Sequence, residues 1–481
     1  MNKLGLAVSL ATLCAVSVYG CSLGLDESKI GAAPDAGTLP DGDTPDTFRP
    51  PVTDGGTEAG GLPTACTRDD ECATSDACLK GRCDLERKAC VFDVCLTATC
   101  NAGTCDEATR VCGAPKPRTF RAATFPIGAG VGCGGALGTP QRCIAAVYPY
   151  VFVGTTNGVV AFSSSDPSSA SPQAVAVKGV GFLPTSIVAS GNRVFILGGS
   201  TTVGAVSRVQ IAVVDVPTDP FRRELVASTI LSSFDRPSGD VLLEREGSGA
   251  FLLQLSAPAS FPTGIVREPI GEPLDIKSSP FPPVPGATPV ASSGSRIIVE
   301  AFSVQAISTM SFITMAGTAQ AAKEQETALT AAGSVTGQRA FATTQGGAVY
   351  WSVAQLTAPP PANTLRAARG HFLVADAAAT FVPAGGIDIA VYPNIPAANQ
   401  VIGPVALIDK DTALVSAAVP TALTTTDIKI HKRATGLTPQ KVTLTQPVTQ
   451  LGASASSGLA YVLAAESPTA ASVHVFDAAC N

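Results

Sequence analysis

Nine cysteines fall within residues 66–112 of this 481-residue chain: Cys66, Cys72, Cys78, Cys83, Cys90, Cys95, Cys100, Cys105 and Cys112. Such density points either to zinc or to disulfides. Zinc knuckles need paired C-x2-C spacings, often with histidine, and no such pair occurs here. A segment this short buries too little apolar surface to fold unaided, so the pattern predicts a disulfide framework and no metal site. Nine is odd, but Cys133, Cys143 and Cys480 bring the set to twelve, which can pair fully. Spacing leaves the connectivity open. A bond from Cys480 to Cys133, Cys143 or the module would tie the end of the chain back to the start of the region that follows the cysteines.

Other candidates for chemistry are sparse. Gly130, Gly132 and Gly135 spell G-x-G-x-x-G, but a dinucleotide fingerprint must follow a strand and open a helix; this one leads into Pro140, so it reads as a disulfide-bearing connection. Only three histidines exist. His371 is expected at the start of a strand, and His431 and His474, at alternating strand positions, on outward or blade-surface sites. A catalytic zinc would need nearly all of them to converge. The acids Asp215, Asp235, Asp240, Glu244, Glu246, Asp376, Asp388, Asp409 and Asp411 are scattered, and solvated surface charge is the expected role; two meeting in a channel would make a glycosidase pair. Trp351, Tyr350, Tyr148 and Tyr150 are expected in a core rather than as a sugar platform. No nucleophile elbow, Walker loop or H-E-x-x-H helix occurs. No catalytic residue and no cofactor is assigned.

Lys3 and the apolar run 4–19 form a leader too short to span a bilayer comfortably. It ends in Val18-Tyr19-Gly20-Cys21, which resembles the lipobox of bacterial lipoproteins. That resemblance implies removal of 1–20 as a signal peptide, acylation of Cys21, and, with Ser22 next, an outer-membrane address on the periplasmic or cell-surface side. Acyl chains anchor stably because each buried methylene contributes roughly 0.8 kcal/mol. The most apolar later segment, 306–322, is loaded with Ser, Thr and Gln, so no transmembrane helix is expected.

Residues 21–65 then form a disordered Asp/Pro/Gly-rich tether, too poor in apolar groups to repay ordering. Its aspartates lack the spacing and closing glutamate of a calcium loop. The disulfide-rich module is expected over 66–117. Its spacing resembles the small Dickkopf-type cysteine-rich repeats near the N-termini of Gram-negative surface lipoproteins. The chain carries 32 basic against 38 acidic residues, a net charge of −6, which offers no basic stripe for nucleic acid.

Residues 118–481 look different again. YPYVFVGTTNGVVAF (148–162) sets two apolar, β-branched runs around Asn157-Gly158, a hairpin signal placing these two residues at the centre of a type I′ turn. Looser copies follow, among them NRVFILGG, SRIIVEAFSV, TALVSAAVP and GLAYVLAAES. They return mostly near every forty-five residues, the period of a four-stranded propeller blade. Helical patterning is confined to 319–332. The expected fold is all-β, a C-terminal β-propeller of seven or eight blades, closed by pairing an N-terminal strand with SVHVFDAAC. VFVGTTNGVVAF also resembles the blade signature of quinoprotein-like propellers, but a single tryptophan argues against their pyrroloquinoline cofactor. The expected function is a surface-anchored, non-enzymatic binding or scaffold module for an envelope or extracellular protein or glycan. The alternative is a secreted propeller hydrolase or lyase using channel carboxylates.

Overall fold

A computed structural model describes residues 62–480 except Glu86 and 134–139, 166–173, 199–200, 204–205, 235–239, 247–248, 256–264, 271–286, 294–295, 303–307, 315–321, 329–334, 344–347, 357–364, 376–380 and 394–398; between 229 and 347, and at some strand ends elsewhere, it describes backbone only. Cys21, the tether as far as residue 61, Gly135, Asp235 and Asp376 lie outside the described residues. The unit 57–481 is compact. No described helix is long and apolar enough to cross a membrane.

The described strands beyond residue 118 form seven blades. Blade 1 is Ile144–Val147, Tyr150–Thr155, Gly158–Ser163 and Ala174–Lys178; blade 2 is Pro184–Ser190, Arg193–Gly198, Val206–Asp215 and Glu224–Phe234. Blade 3 shows three strands from Asp240–Glu246 to Ile265–Ile270, and blade 4 runs from Ala287–Ser293 to Ala322–Ala328. Blade 5 is Val335–Thr343, Val349–Leu356, Leu365–Ala375 and Phe381–Pro393; blade 6 is Ala406–Asp409, Thr412–Val419, Ala422–Lys432 and Gly436–Leu444. Blade 7 takes Leu451–Ser456, Leu459–Ser467 and Ala470–Asp477 from the end of the chain and Arg121–Pro126 from its beginning. The first strands touch in a closed cycle, blade 7 returning to blade 1. Among the described residues this all-β wheel has seven blades, within the expected seven or eight, and it is closed by SVHVFDAAC against an N-terminal strand.

The packing follows from the alternation of each strand. Tyr461, Leu463, Val473 and Val475 of blade 7 share one buried cluster with Val151 and Val153 of blade 1, while Ala460, Val462 and Phe476 face the other way toward Leu414, Ile428 and Ile430 of blade 6. Each such Val, Leu, Ile or Phe side chain, buried between blades, stabilises by roughly 1.5–3 kcal/mol. The free inner edge of blade 1 is not left bare. Ser454 and Ser456 of blade 7 accept hydrogen bonds from the backbone N–H groups of Ala146 and Tyr148, both at 3.0 Å.

Two expectations are corrected. The blade 1 hairpin pairs Thr155 with Gly158, so its turn is Thr156-Asn157 and only Gly158, at φ 121°, has positive φ. The Thr155 hydroxyl decides this shift: it accepts from the Asn157 N–H at 3.1 Å and donates to the Gly158 carbonyl at 2.9 Å. The segment expected to be helical holds a strand instead, Ala322–Ala328, because AKEQETA has no apolar stripe and fills the outermost slot of blade 4.

The twelve described cysteines form six disulfides: Cys66–Cys83, Cys72–Cys90, Cys78–Cys105, Cys95–Cys112, Cys133–Cys143 and Cys100–Cys480. The module's core is largely sulfur, with Leu79, Phe92 and Val94 as its main apolar side chains. It is fixed to the wheel. Asp93 accepts from the Tyr148 hydroxyl at 2.6 Å and from Arg82 Nε at 2.8 Å, and Arg82 also reaches the Ser457 carbonyl at 2.9 Å. Arg87 donates to Asn192 Oδ1 at 2.8 Å, Glu107 pairs with Arg223, and Arg110 lies 4.3 Å over the Phe221 ring. All these wheel residues sit in first-to-second or third-to-fourth turns of blades 7, 1 and 2. In antiparallel blades those turns share one face, so the module covers that face beside the seam.

Candidate functional site

The place where a wheel of this kind can present chemistry is the channel lined by its seven first strands and the face opposite the module, formed by second-to-third turns and inter-blade connections. Asp240, Glu244 and Glu246 stand on the first strand of blade 3 and Asp409 ends that of blade 6. The other described acids lie elsewhere. Asp215 pairs with its cross-strand neighbour Arg193 at 2.7 Å, Asp388 with Arg369 at 2.6 Å, and Asp411 with Arg433. Asp409 Oδ1 accepts the Asp411 N–H at 2.8 Å within a turn. Cross-strand pairs of this kind contribute fractions of a kcal/mol and mark solvated blade surfaces.

The histidines depart from expectation. His431 and His474 are buried, and His371 stands in the middle of Leu365–Ala375 rather than at a strand start. His431 Nδ1 meets the Tyr350 hydroxyl at 2.8 Å, between blades 5 and 6. On blade 7, Ser472 Oγ lies 3.2 Å from His474 Nε2, a spacing a nucleophile and its base could share. The neighbours forbid it. Arg121 lies 2.7 Å from His474 Nδ1, and a guanidinium only donates. Nδ1 is therefore the acceptor, Nε2 carries the proton, and it donates to Ser472, which donates in turn to Glu466 Oε1 at 2.7 Å. A ring that donates to the hydroxyl cannot accept its proton, so this chain of bonds is structural. Sequence spacing signals the 472/474 pair, but Arg121 arrives from a strand some 350 residues away.

Burial, with help from Arg121 for His474 and from Arg369 for His371, lowers both imidazole pKa values to about 4. Both groups are neutral in the fold and bind protons near pH 6.5 when unfolded. The unfolded state therefore takes up more protons below pH 6.5, and stability falls as pH drops from 6.5 to 4, then levels. Each histidine contributes up to about 3 kcal/mol to that slope. Asp477, raised by burial, works in the opposite direction. We expect the thermal midpoint to fall across this window and His474→Gln to flatten the fall; a midpoint flat from pH 6.5 to 4.5 would refute it.

Tyr148, Tyr150, Tyr350 and Trp351 are all fully buried. They are core residues and offer no open stacking face. Burial, and for Tyr148 also the adjacent Asp93 carboxylate, pushes the Tyr148 and Tyr350 hydroxyls well above the ordinary phenol range. The glycine motif also packs. A Cβ on Gly130 would fall 1.9 Å from the Pro468 carbonyl oxygen of blade 7, and one on Gly132 would fall 1.9 Å from that of Thr155 in blade 1. These two glycines let the connection cross the seam on the face opposite the module.

No protein-family profile matches this chain, and no curated protein does. Among solved structures the alignments are loose. The polysaccharide lyase Uly1 aligns at 10% identity and a TM-score of 0.40 over 74% of this chain and 98% of its own. A prolyl endopeptidase aligns at 11% identity and 0.35 over 71% of this chain, and prolyl oligopeptidase B from Galerina marginata at 10% and 0.36 over 72%. The aligned part is 48% of each peptidase, so the chain spans about half their length.

Of the candidate residues whose side chains are described, then, Asp215, Asp388 and Asp411 are paired with arginines, His431 and His474 are held by buried hydrogen bonds, His371 stacks on Trp351, and Tyr148, Tyr150, Tyr350 and Trp351 are packed. What the arrangement offers is a rigid ring face, braced across its seam.

Proposed function

We propose that the chain is a lipid-anchored lipoprotein of the bacterial outer membrane that acts as a non-enzymatic binding module, holding a protein or glycan partner on the wheel face opposite its cysteine-rich module. The lipobox at Cys21 supports the anchor, and the Asp/Pro/Gly-rich tether supports a spacer of roughly 35–40 Å. The Dickkopf-type spacing supports a surface setting. The observation that carries the binding reading is the fate of these side chains: Asp215, Asp388 and Asp411 pair with arginines, Asp409 accepts a backbone N–H within its own turn, His431 and His474 are buried and hydrogen-bonded, and His371 stacks on Trp351, rather than being gathered into one acid–base set. A propeller face is also a fold-level platform for partners, and function then resides in its turns.

A second reading, a glycan hydrolase or lyase, has one specific observation behind it: Asp240, Glu244 and Glu246 share a channel strand at alternate positions. Crosslinking capture from outer membranes, run with Glu244→Gln/Glu246→Gln, separates the two. The binding reading expects the variant to capture the same partner in the same yield and the wild type to leave glycan polymers uncleaved. Turnover of a glycan by the wild type that the variant abolishes would overturn it. Recovery of the chain with an unacylated Cys21 would overturn the anchor.

A further inference from the structure

We propose that Cys100–Cys480 is a thiol-exchange site: a reducible latch across the seam of the wheel, opened by a dithiol while the buried disulfides stay closed. Access separates this bond from the rest. Both residues of Cys66–Cys83, Cys72–Cys90 and Cys133–Cys143 are buried, and Cys78–Cys105 and Cys95–Cys112 each have one buried residue. Cys100–Cys480 alone among the six has both residues partly exposed. Exchange requires a thiolate to reach a sulfur in line with the bond, so access ranks these bonds.

Position gives the cleavage a consequence. The bond joins residues 380 apart, the largest separation of the six, and lies where blade 7 is assembled from both ends of the sequence. Without it the seam keeps the pairing of Arg121–Pro126 with Ala470–Asp477, the Asp477 N–H bond to the Phe120 carbonyl at 2.9 Å, and the Arg118–Asp477 ion pair at 2.8 Å. The module keeps its four internal disulfides and its grip on blades 1 and 2. Reduction thus loosens one joint without unfolding the module. One thiolate of the dithiol attacks a sulfur and expels the other cysteine as thiolate. The second thiol of the dithiol then resolves the mixed disulfide. The protein gains two electrons and two protons, and the reagent leaves as its cyclic disulfide.

Native protein titrated with dithiothreitol, alkylated and mapped by mass spectrometry should label Cys100 and Cys480 roughly tenfold or more faster than Cys66, Cys72, Cys83, Cys90, Cys133 and Cys143. At that stage amide exchange over 121–126 and 470–477 should rise roughly tenfold, with 412–432 of blade 6 unchanged. The double variant Cys100→Ser/Cys480→Ser should show the same local rise with no reductant present. Labelling of a buried pair first or at the same rate would overturn the proposal. So would labelling of Cys100 and Cys480 with no change in exchange, or a double variant that exchanges like the oxidised wild type.

Discussion

Asp477→Ala will lower the folding stability by about 3–5 kcal/mol, the cost of leaving a buried charge without its partner. Arg118 and Asp477 are 9% and 7% exposed and meet at 2.8 Å where the first residues of the wheel cross the last. The Asp477 carboxylate also accepts the Ala479 N–H at 3.0 Å, which holds the short turn leading to Cys480. Truncation strands a guanidinium next to the seam, beside the Tyr461–Ser164 hydrogen bond that ties blade 7 to blade 1. Removing both charges, as Arg118→Met/Asp477→Leu, should cost much less than either alone, because a pair of apolar groups needs no solvation. Urea unfolding followed by far-ultraviolet circular dichroism measures both. A single-variant loss under about 1 kcal/mol would show that the pair does not hold the seam.

The contrast between what could be read from the chain and what could not follows from range. SVHVFDAAC reads as a strand because its alternation is local, and its role in closure follows because a ring has to end somewhere. Its partner Arg121–Pro126 has no comparable signal: RAATFP is short, half exposed and carries a proline, and only the register with Ala470–Asp477 makes it part of a blade. The cysteine density foretells disulfides, yet Cys100 is one of nine similar candidates and only its place beside Ala479 selects it for Cys480. The histidines are misjudged for the same reason. Alternation placed His431 and His474 on strand faces correctly but could not say that both faces of an inner blade strand are interior, since each blade is sandwiched between two others. The Asn157-Gly158 turn slipped by one residue because a single hydroxyl, Thr155, outweighs the statistical preference for Asn-Gly at the turn centre. Docking of the module by Arg82, Asp93 and Tyr148 left no trace in local pattern.

Trp351→Ala should cost about 3–5 kcal/mol, the range for deleting a fully buried large aromatic whose site cannot collapse. Trp351 is 1% exposed on the second strand of blade 5 and stacks on its cross-strand neighbour His371, centroids 5.0 Å apart and planes 23° from parallel. Tyr350, one residue earlier, faces the opposite way into the cluster shared with blade 6, so the strand is pinned on both sides and has little freedom to close a cavity. Since this is the sole tryptophan, its fluorescence reports the same point without a label. Burial predicts blue-shifted emission and weak quenching by acrylamide in the folded protein, both lost on unfolding. A sugar platform would require the reverse, an indole reachable from solvent, so strong quenching in the native state would restore the stacking reading and remove the packing one. The substitution has a second readout. Burial is the main cause of the lowered His371 pKa, and taking away the indole lets water reach the imidazole. His371 should then titrate closer to 6.5, and the loss of stability between pH 6.5 and 4 should become shallower in Trp351→Ala than in the wild type.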